Sequence, residues 1–129
     1  MPRGNCLCGG VQFEVAGEIP NPVACHCSMC RKVSGHFWVA TGFRRERLNL
    51  SGEENLTWYQ SSENVRRGFC KTCGSALFFE DTTTPWISVA MGALEQPTSV
   101  KLHSHIYTGN KGDYYEITDG LPQHKAEPC

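Results

Sequence analysis

The chain has little with which to build a large aliphatic core or a charged binding face. No stretch approaches the roughly 18 apolar residues that a membrane span needs, and Met1 runs into Pro2, Arg3 and Gly4 without an apolar leader. The expectation is a cytoplasmic protein with no membrane partner. Net charge is only -1, so no global field draws in nucleic acid, and no such partner is expected. Long aliphatic runs are scarce, and apolar residues make up 40% of the 129 positions. A 3.6-residue apolar period is missing from every window long enough for an ordinary helix, which excludes a helical bundle. A chain of this length encloses one modest core, not two.

Cysteine, by contrast, is abundant. Eight cysteines beside a thin core imply that disulfides or metal supply part of the stability, and a reducing compartment favours metal. Seven of them fall in short groups, Cys6/Cys8, Cys25/Cys27/Cys30 and Cys70/Cys73, the spacing of ligand sets rather than of bridge partners. Cys129 ends a polar stretch and reads as a free exposed thiol.

Short strand-like segments dominate the rest. Val11, Phe13 and Val15 alternate with Gln12 and Glu14, the period of a strand with one buried face. Residues 36–41, 56–59, 76–80, 86–91 and 102–107 are short, aromatic or β-branched, and separated by turn residues, which predicts an all-β domain. One short helix is expected over Ser28 to Val33, with Ser28 as N-cap and Gly35 as its stop. Residues 1–121 form the single domain, and 122–129 read as an untethered polar tail.

Seven ligands divide into four, which enclose a structural zinc, and three, which leave one coordination position open as in catalytic sites. Spacing alone allows two partitions. Cys27/Cys30 with Cys70/Cys73 would leave Cys6, Cys8 and Cys25; alternatively Cys6/Cys8 join Cys70/Cys73 and leave Cys25, Cys27 and Cys30. The second closes shorter loops around the three-ligand ion. That ion could also be structural, completed by a remote ligand. His26 is a poor fourth ligand, because a residue wedged between two ligating cysteines points away from their shared ion.

Three blocks carry a resemblance: Gly4-Asn5-Cys6-Leu7-Cys8-Gly9-Gly10-Val11, Cys25-His26-Cys27-Ser28-Met29-Cys30-Arg31-Lys32-Val33-Ser34-Gly35, and Gly68-Phe69-Cys70-Lys71-Thr72-Cys73-Gly74-Ser75. They resemble the signature blocks of the glutathione-dependent formaldehyde-activating enzyme family, shared with centromere protein V. Weaker echoes follow in order at Ala90 to Glu95, His105-Ile106 and Asp119 to Pro122. The resemblance implies a β-tent (Mss4-like) fold, in which small coiled sheets surround a zinc site. It assigns Cys6, Cys8, Cys70 and Cys73 to a structural Zn²⁺, and Cys25, Cys27 and Cys30 to a second, open one. Where the family usually has a Trp before its closing Gly-Leu-Pro, this chain has Tyr114 and Tyr115.

Three thiolates leave the zinc complex with a charge of about -1, which makes it a weak activator of water but a good seat for a soft ligand such as a thiol. The resemblance implies that the thiol is glutathione and the electrophile formaldehyde, hence a carbon-sulfur lyase. Arg31, Lys32, Arg66 and Arg67 are candidates for holding the substrate's carboxylates. His105, at a family motif position, is a candidate proton donor, expected to share a face with His103. Ser28 and Ser34 could donate to thiolates or substrate, or merely cap and end the helix. Gly9 and Gly74 are expected in turns with positive φ. Two other readings stand beside catalysis: a module that binds or carries a thiol without turnover, and an interaction domain whose ions are both structural.

Overall fold

The computed structural model describes residues 1–126, and Cys129 lies outside them. The elements run β1 (Arg3–Asn5), β2 (Gln12–Val15), β3 (Val23–Cys25), α1 (Ser28–Ser34), β4 (Trp38–Arg44), β5 (Leu48–Ser51), β6 (Leu56–Gln60), β7 (Val65–Cys70), β8 (Ala76–Asp81), β9 (Trp86–Ala90) and β10 (Ser104–Ile106), with short 3-10 turns between. They form a three-stranded sheet, β1-β2-β5, and a seven-stranded sheet, β10-β3-β4-β9-β8-β7-β6. All neighbours are antiparallel except β10 and β3. The all-β expectation therefore holds. No helix of the described residues is long and apolar enough to cross a membrane.

The larger sheet buries residues on both faces. One face meets the small sheet in a core of Val11, Phe13, Val15, Phe43, Phe78 and Val89, to which Cys6 and Cys70 belong. Phe13 and Phe78 pack edge to face with centroids 5.4 Å apart, the geometry that the ring quadrupoles favour. The opposite face carries a second cluster, in which Trp38, Ala90 and Cys30 gather Cys25, Cys27 and Phe79. Strand alternation divides the two sets: Gly68 and Cys70 point to the first core while Arg67 points to the opposite face, beside Cys30 and Phe79. The register between β7 and β8 shifts at Gly68/Phe69, where Phe78 and Ala76 are the partners and Leu77 is the extra residue. This bulge lets Leu77 and Phe78 both be buried.

Several boundaries differ from the sequence expectation. The N-cap of α1 is Cys27, whose sulfur accepts from the Cys30 amide at 3.3 Å, and Ser28 is exposed within the helix. A sulfur one position earlier displaces the serine from the cap. Gly35 does end the helix, at φ 87°, where the lack of a Cβ removes the left-handed penalty. His36 and Phe37 leave β4 to join an aromatic cluster with Tyr114 and Tyr115. The stretch after Leu121 is not untethered. His105 donates its amide to Pro122, His124 donates to His105, and Tyr107 donates to Ala126, so residues 122–126 run as a strap along the outer edge of β10.

On β8, the Glu80 carboxylate is 2% exposed and receives the Nε–H groups of both Arg45 and Arg66. Arg66 is also stacked 3.9 Å over the Trp58 ring, a half-exposed cation–π contact. Burial pushes the Glu80 carboxyl up, but the two guanidiniums outweigh it and hold the group below its ordinary value. Removing the carboxylate leaves two arginines, 40% and 37% exposed, without their shared acceptor. Glu80→Gln is expected to cost about 2 kcal/mol in thermal or urea unfolding at neutral pH. A depressed carboxyl contributes stability that is present above the unfolded pKa and lost as pH falls through the lower native one, so wild type should converge on the variant only below the ordinary glutamate range. Equal melts for the two proteins at neutral pH would show that Glu80 does not anchor this sheet.

Candidate metal centres and the adjoining cavity

Two groups of cysteine sulfurs converge, each with its ligand atoms within 4.8 Å of one another. The first is Cys6, Cys8, Cys70 and Cys73. Cys6 follows β1, Cys8 sits in the turn before β2, Cys70 ends β7 and Cys73 lies in the turn toward β8. The Cys6 and Cys8 sulfurs are 3.6 Å apart, and Cys8 and Cys70 are 3.7 Å apart. Four thiolates around zinc at a bond length of about 2.3 Å would be separated by about 3.8 Å, so this donor set fits a tetrahedral ion. Backbone amides aim at the sulfurs: Val11 donates to Cys6 at 3.2 Å and Cys73 to Cys70 at 3.5 Å. Gly9 and Gly74 hold φ of 80° and 78°, so both cysteine pairs turn as the glycines predict. Ser75 clasps the two halves, its hydroxyl accepting from the Leu7 amide at 2.9 Å and lying 3.2 Å from the Cys73 sulfur. That contact leads the effects that lower the Cys73 thiol to about 5.

The second group is Cys25, Cys27 and Cys30, supplied by the end of β3, the cap of α1 and its first turn. Among the described residues no fourth His, Cys, Asp or Glu joins them. The Arg67 guanidinium points its Nη1 at the Cys30 sulfur, 3.7 Å away, and is 7% exposed. The bond from Cys25 leads the effects that lower the Cys30 thiol to about 6, with Arg67 adding to it against the opposing cost of burial. The same bond, with burial, pushes Cys25 strongly up. Between Cys25 and Cys30, negative charge is therefore favoured at Cys30.

All three cysteines line a cavity of about 420 Å³, within the range of small-molecule sites. Its walls are mainly apolar, with Trp38, Val65, Phe79 and Ile106 prominent, and Arg67 is its one charged side chain among the described residues.

The sequence model of the glutathione-dependent formaldehyde-activating enzyme family matches residues 1–110. The chain belongs to this family. A Halomonas elongata protein provisionally named a glutathione-dependent formaldehyde-activating enzyme is 32% identical over 89% of this chain and 80% of its own length. An uncharacterized lyase of Schizosaccharomyces pombe is 35% identical over 64% of this chain, and the alignment spans 61% of that relative. A Rhodobacter sphaeroides protein of known crystal structure shares the fold with a TM-score of 0.63 and 32% identity, covering 75% of this chain and 91% of its own.

Within this family member, the sequence-expected site residues fall in different places. Arg67 lines the cavity, whereas Arg66 is committed to Glu80 and Trp58. Arg31 and Lys32 lie on α1 outside the lining, Lys32 exposed and the Arg31 Nε buried without a hydrogen-bond partner. Ser34 donates to the Cys30 carbonyl at 2.6 Å, which makes it part of the helix backbone rather than a thiolate donor.

His105, expected as a proton donor at the open site, does not line the cavity. Both ring nitrogens are engaged: Nδ1 meets His26 Nε2 at 2.9 Å and Nε2 meets Asp119 Oδ2 at 2.7 Å. His103 is exposed and precedes the strand, so the two do not form a pair. His26 is 1% exposed, lies outside the sulfur cluster, and bonds through Nδ1 to the Tyr115 hydroxyl. With Asp119 as acceptor, one proton order satisfies the whole line: His105 Nε2–H donates to Asp119, His26 Nε2–H to His105, and Tyr115 O–H to His26. Burial leads the effects that lower His26 to about 4, which fits the neutral imidazole that this order requires.

The line from Tyr115 to Asp119 was not legible in the sequence as a unit, because its members lie up to 93 positions apart (26 to 119). The signals that could have found it are a histidine fixed between two ligands and an Asp at the head of Asp119-Gly120-Leu121-Pro122. Tyr115→Phe should leave the buried His26 without its donor and lower thermal stability by about 1–3 kcal/mol. A melting temperature unchanged by that substitution would show that the hydroxyl is dispensable.

Proposed function

We propose that the protein is a zinc-dependent carbon-sulfur lyase-type enzyme. Its reaction joins a small thiol, glutathione or a related one, to formaldehyde or a similar small aldehyde, and runs the same addition in reverse. The observation that supports it most is the meeting of three cysteine sulfurs on the wall of a cavity that also holds one arginine. Cys6, Cys8, Cys70 and Cys73 would hold a structural Zn²⁺, and Cys25, Cys27 and Cys30 a second one, two per chain. When bound at the second set, zinc would supply a Lewis-acidic seat at which an incoming thiol loses its proton.

The chain's own residues supply the rest. Three thiolates make the donor set soft and already anionic, which disfavours water as the incoming group and favours sulfur. Arg67 offsets part of that charge beside Cys30 and offers its remaining N–H groups to a substrate carboxylate. The mainly apolar walls would limit water around the adduct on the side that they cover. In the forward direction the sulfur lone pair adds to the carbonyl carbon, the S–C bond forms, the C=O π pair moves onto oxygen, and that oxygen takes a proton. Ser62, Ser88 and Tyr107 are the hydroxyl-bearing residues of the lining, and the proton would pass through one of them. His105 acts as a positioning residue: through His26 it fixes the peptide that carries Cys25 and Cys27.

Zinc per chain, thermal melts and adduct exchange followed by NMR test the assignment. Wild type should carry about two ions. Cys27→Ser should fold with about one ion and lose rate enhancement, whereas Cys70→Ser should lose soluble protein. Fully loaded protein that gave no rate above the spontaneous addition would defeat the enzymatic assignment, and equal damage from both substitutions would defeat the division of the sulfurs.

A further inference from the structure

The cavity beside Cys25, Cys27 and Cys30 is chemically lopsided. Among the described residues its lining includes a single cation, Arg67, and no carboxylate. The other nearby cations are engaged elsewhere. Arg66 serves Glu80, and Lys111 donates its Nζ to the carbonyls of Gly112 and Tyr115 without reaching the lining. Arg31 and Lys32 are not part of the wall either. A tripeptide thiol of the glutathione type brings two carboxylates and an ammonium group. The second carboxylate would find no guanidinium here and the ammonium no acidic partner, and moving either from water to an apolar wall without a partner is unfavourable.

Trp38 and Phe79 face the same space, and Arg67 lies 5.0 Å over the Phe79 ring. That stacking fixes the plane of the guanidinium, and a fixed fork recognises one carboxylate well.

We infer that the thiol this site prefers is a compact mercaptocarboxylic acid: one carboxylate, held by Arg67, on an apolar skeleton packed against Trp38 and Phe79, with no ammonium group. This rests on the thiol chemistry proposed above and narrows its substrate class.

Isothermal titration calorimetry on the zinc-loaded protein, with 2-benzyl-3-mercaptopropionate, its primary amide and glutathione, separates the possibilities. The acid should bind about tenfold or more tightly than both the amide and glutathione. In Arg67→Gln the acid should fall to the level of the amide, and Arg67→Lys should recover part of the difference. Because Arg67 is buried and its replacement could unfold the chain, the wild-type series decides by itself. Glutathione binding as tightly as the acid, or acid and amide binding alike, would overturn the inference and leave the thiol chemistry standing. No heat from any of the three thiols would overturn both.

Discussion

Four sulfurs arriving at one point from two different sheets are the constraint on which the rest of the molecule depends. Cys6 and Cys8 belong to the turn of the small sheet, and Cys70 and Cys73 to the β7–β8 turn of the large one. Their separations match those of ligands sharing an ion. The apolar contribution around them is modest, with Phe13, Phe78 and Val11 as its centre. A cluster that ties sheets together matters because the net stability of a domain is a small difference between large opposing terms.

The same strand serves both sulfur clusters. Cys70 faces the shared core, and Arg67, an odd number of positions earlier, faces the other side and meets Cys30. The bulge at Leu77 falls on β8, so the alternation along β7 is undisturbed. Pinning the end of β7 with Cys70 therefore also sets which way Arg67 points, since a slip of one residue would turn it to the opposite face. The electrostatics of the second cluster follow from the fastening of the first.

The all-β class, the short helix over Ser28 to Val33 and its stop at Gly35 were legible in the sequence, because alternation, turn residues and a stop glycine are local signals, whereas the cap passed from Ser28 to Cys27. The two cysteine groups were legible for the same reason, and the spacing left two partitions that the converging sulfurs reduce to one. Strand β7 was not. Its segment, Val65 to Cys70, carries Arg66 and Arg67 side by side and looks like a polar loop until Glu80 and Cys30 are seen to take them. Strand β1, Arg3 to Asn5, has no apolar residue, and its place comes from pairing with β2. The partners of His105 were not legible either: neither its motif position nor its spacing from His103 shows that His26 and Asp119 occupy both of its nitrogens.

The strap of residues 122–126 lies along β10, the outermost strand of the large sheet on that side. Unpaired amides and carbonyls at such an edge are a template on which another chain can add a strand. By pairing with His105 and Tyr107, the strap occupies that template with the protein's own chain, so the end that carries the buried histidines is closed to self-association through β10. Among the described residues strand β6, at the far end, has no such cover in the sheet order, so its outer edge, with Tyr59 and Gln60 exposed, is the margin left for another chain to meet.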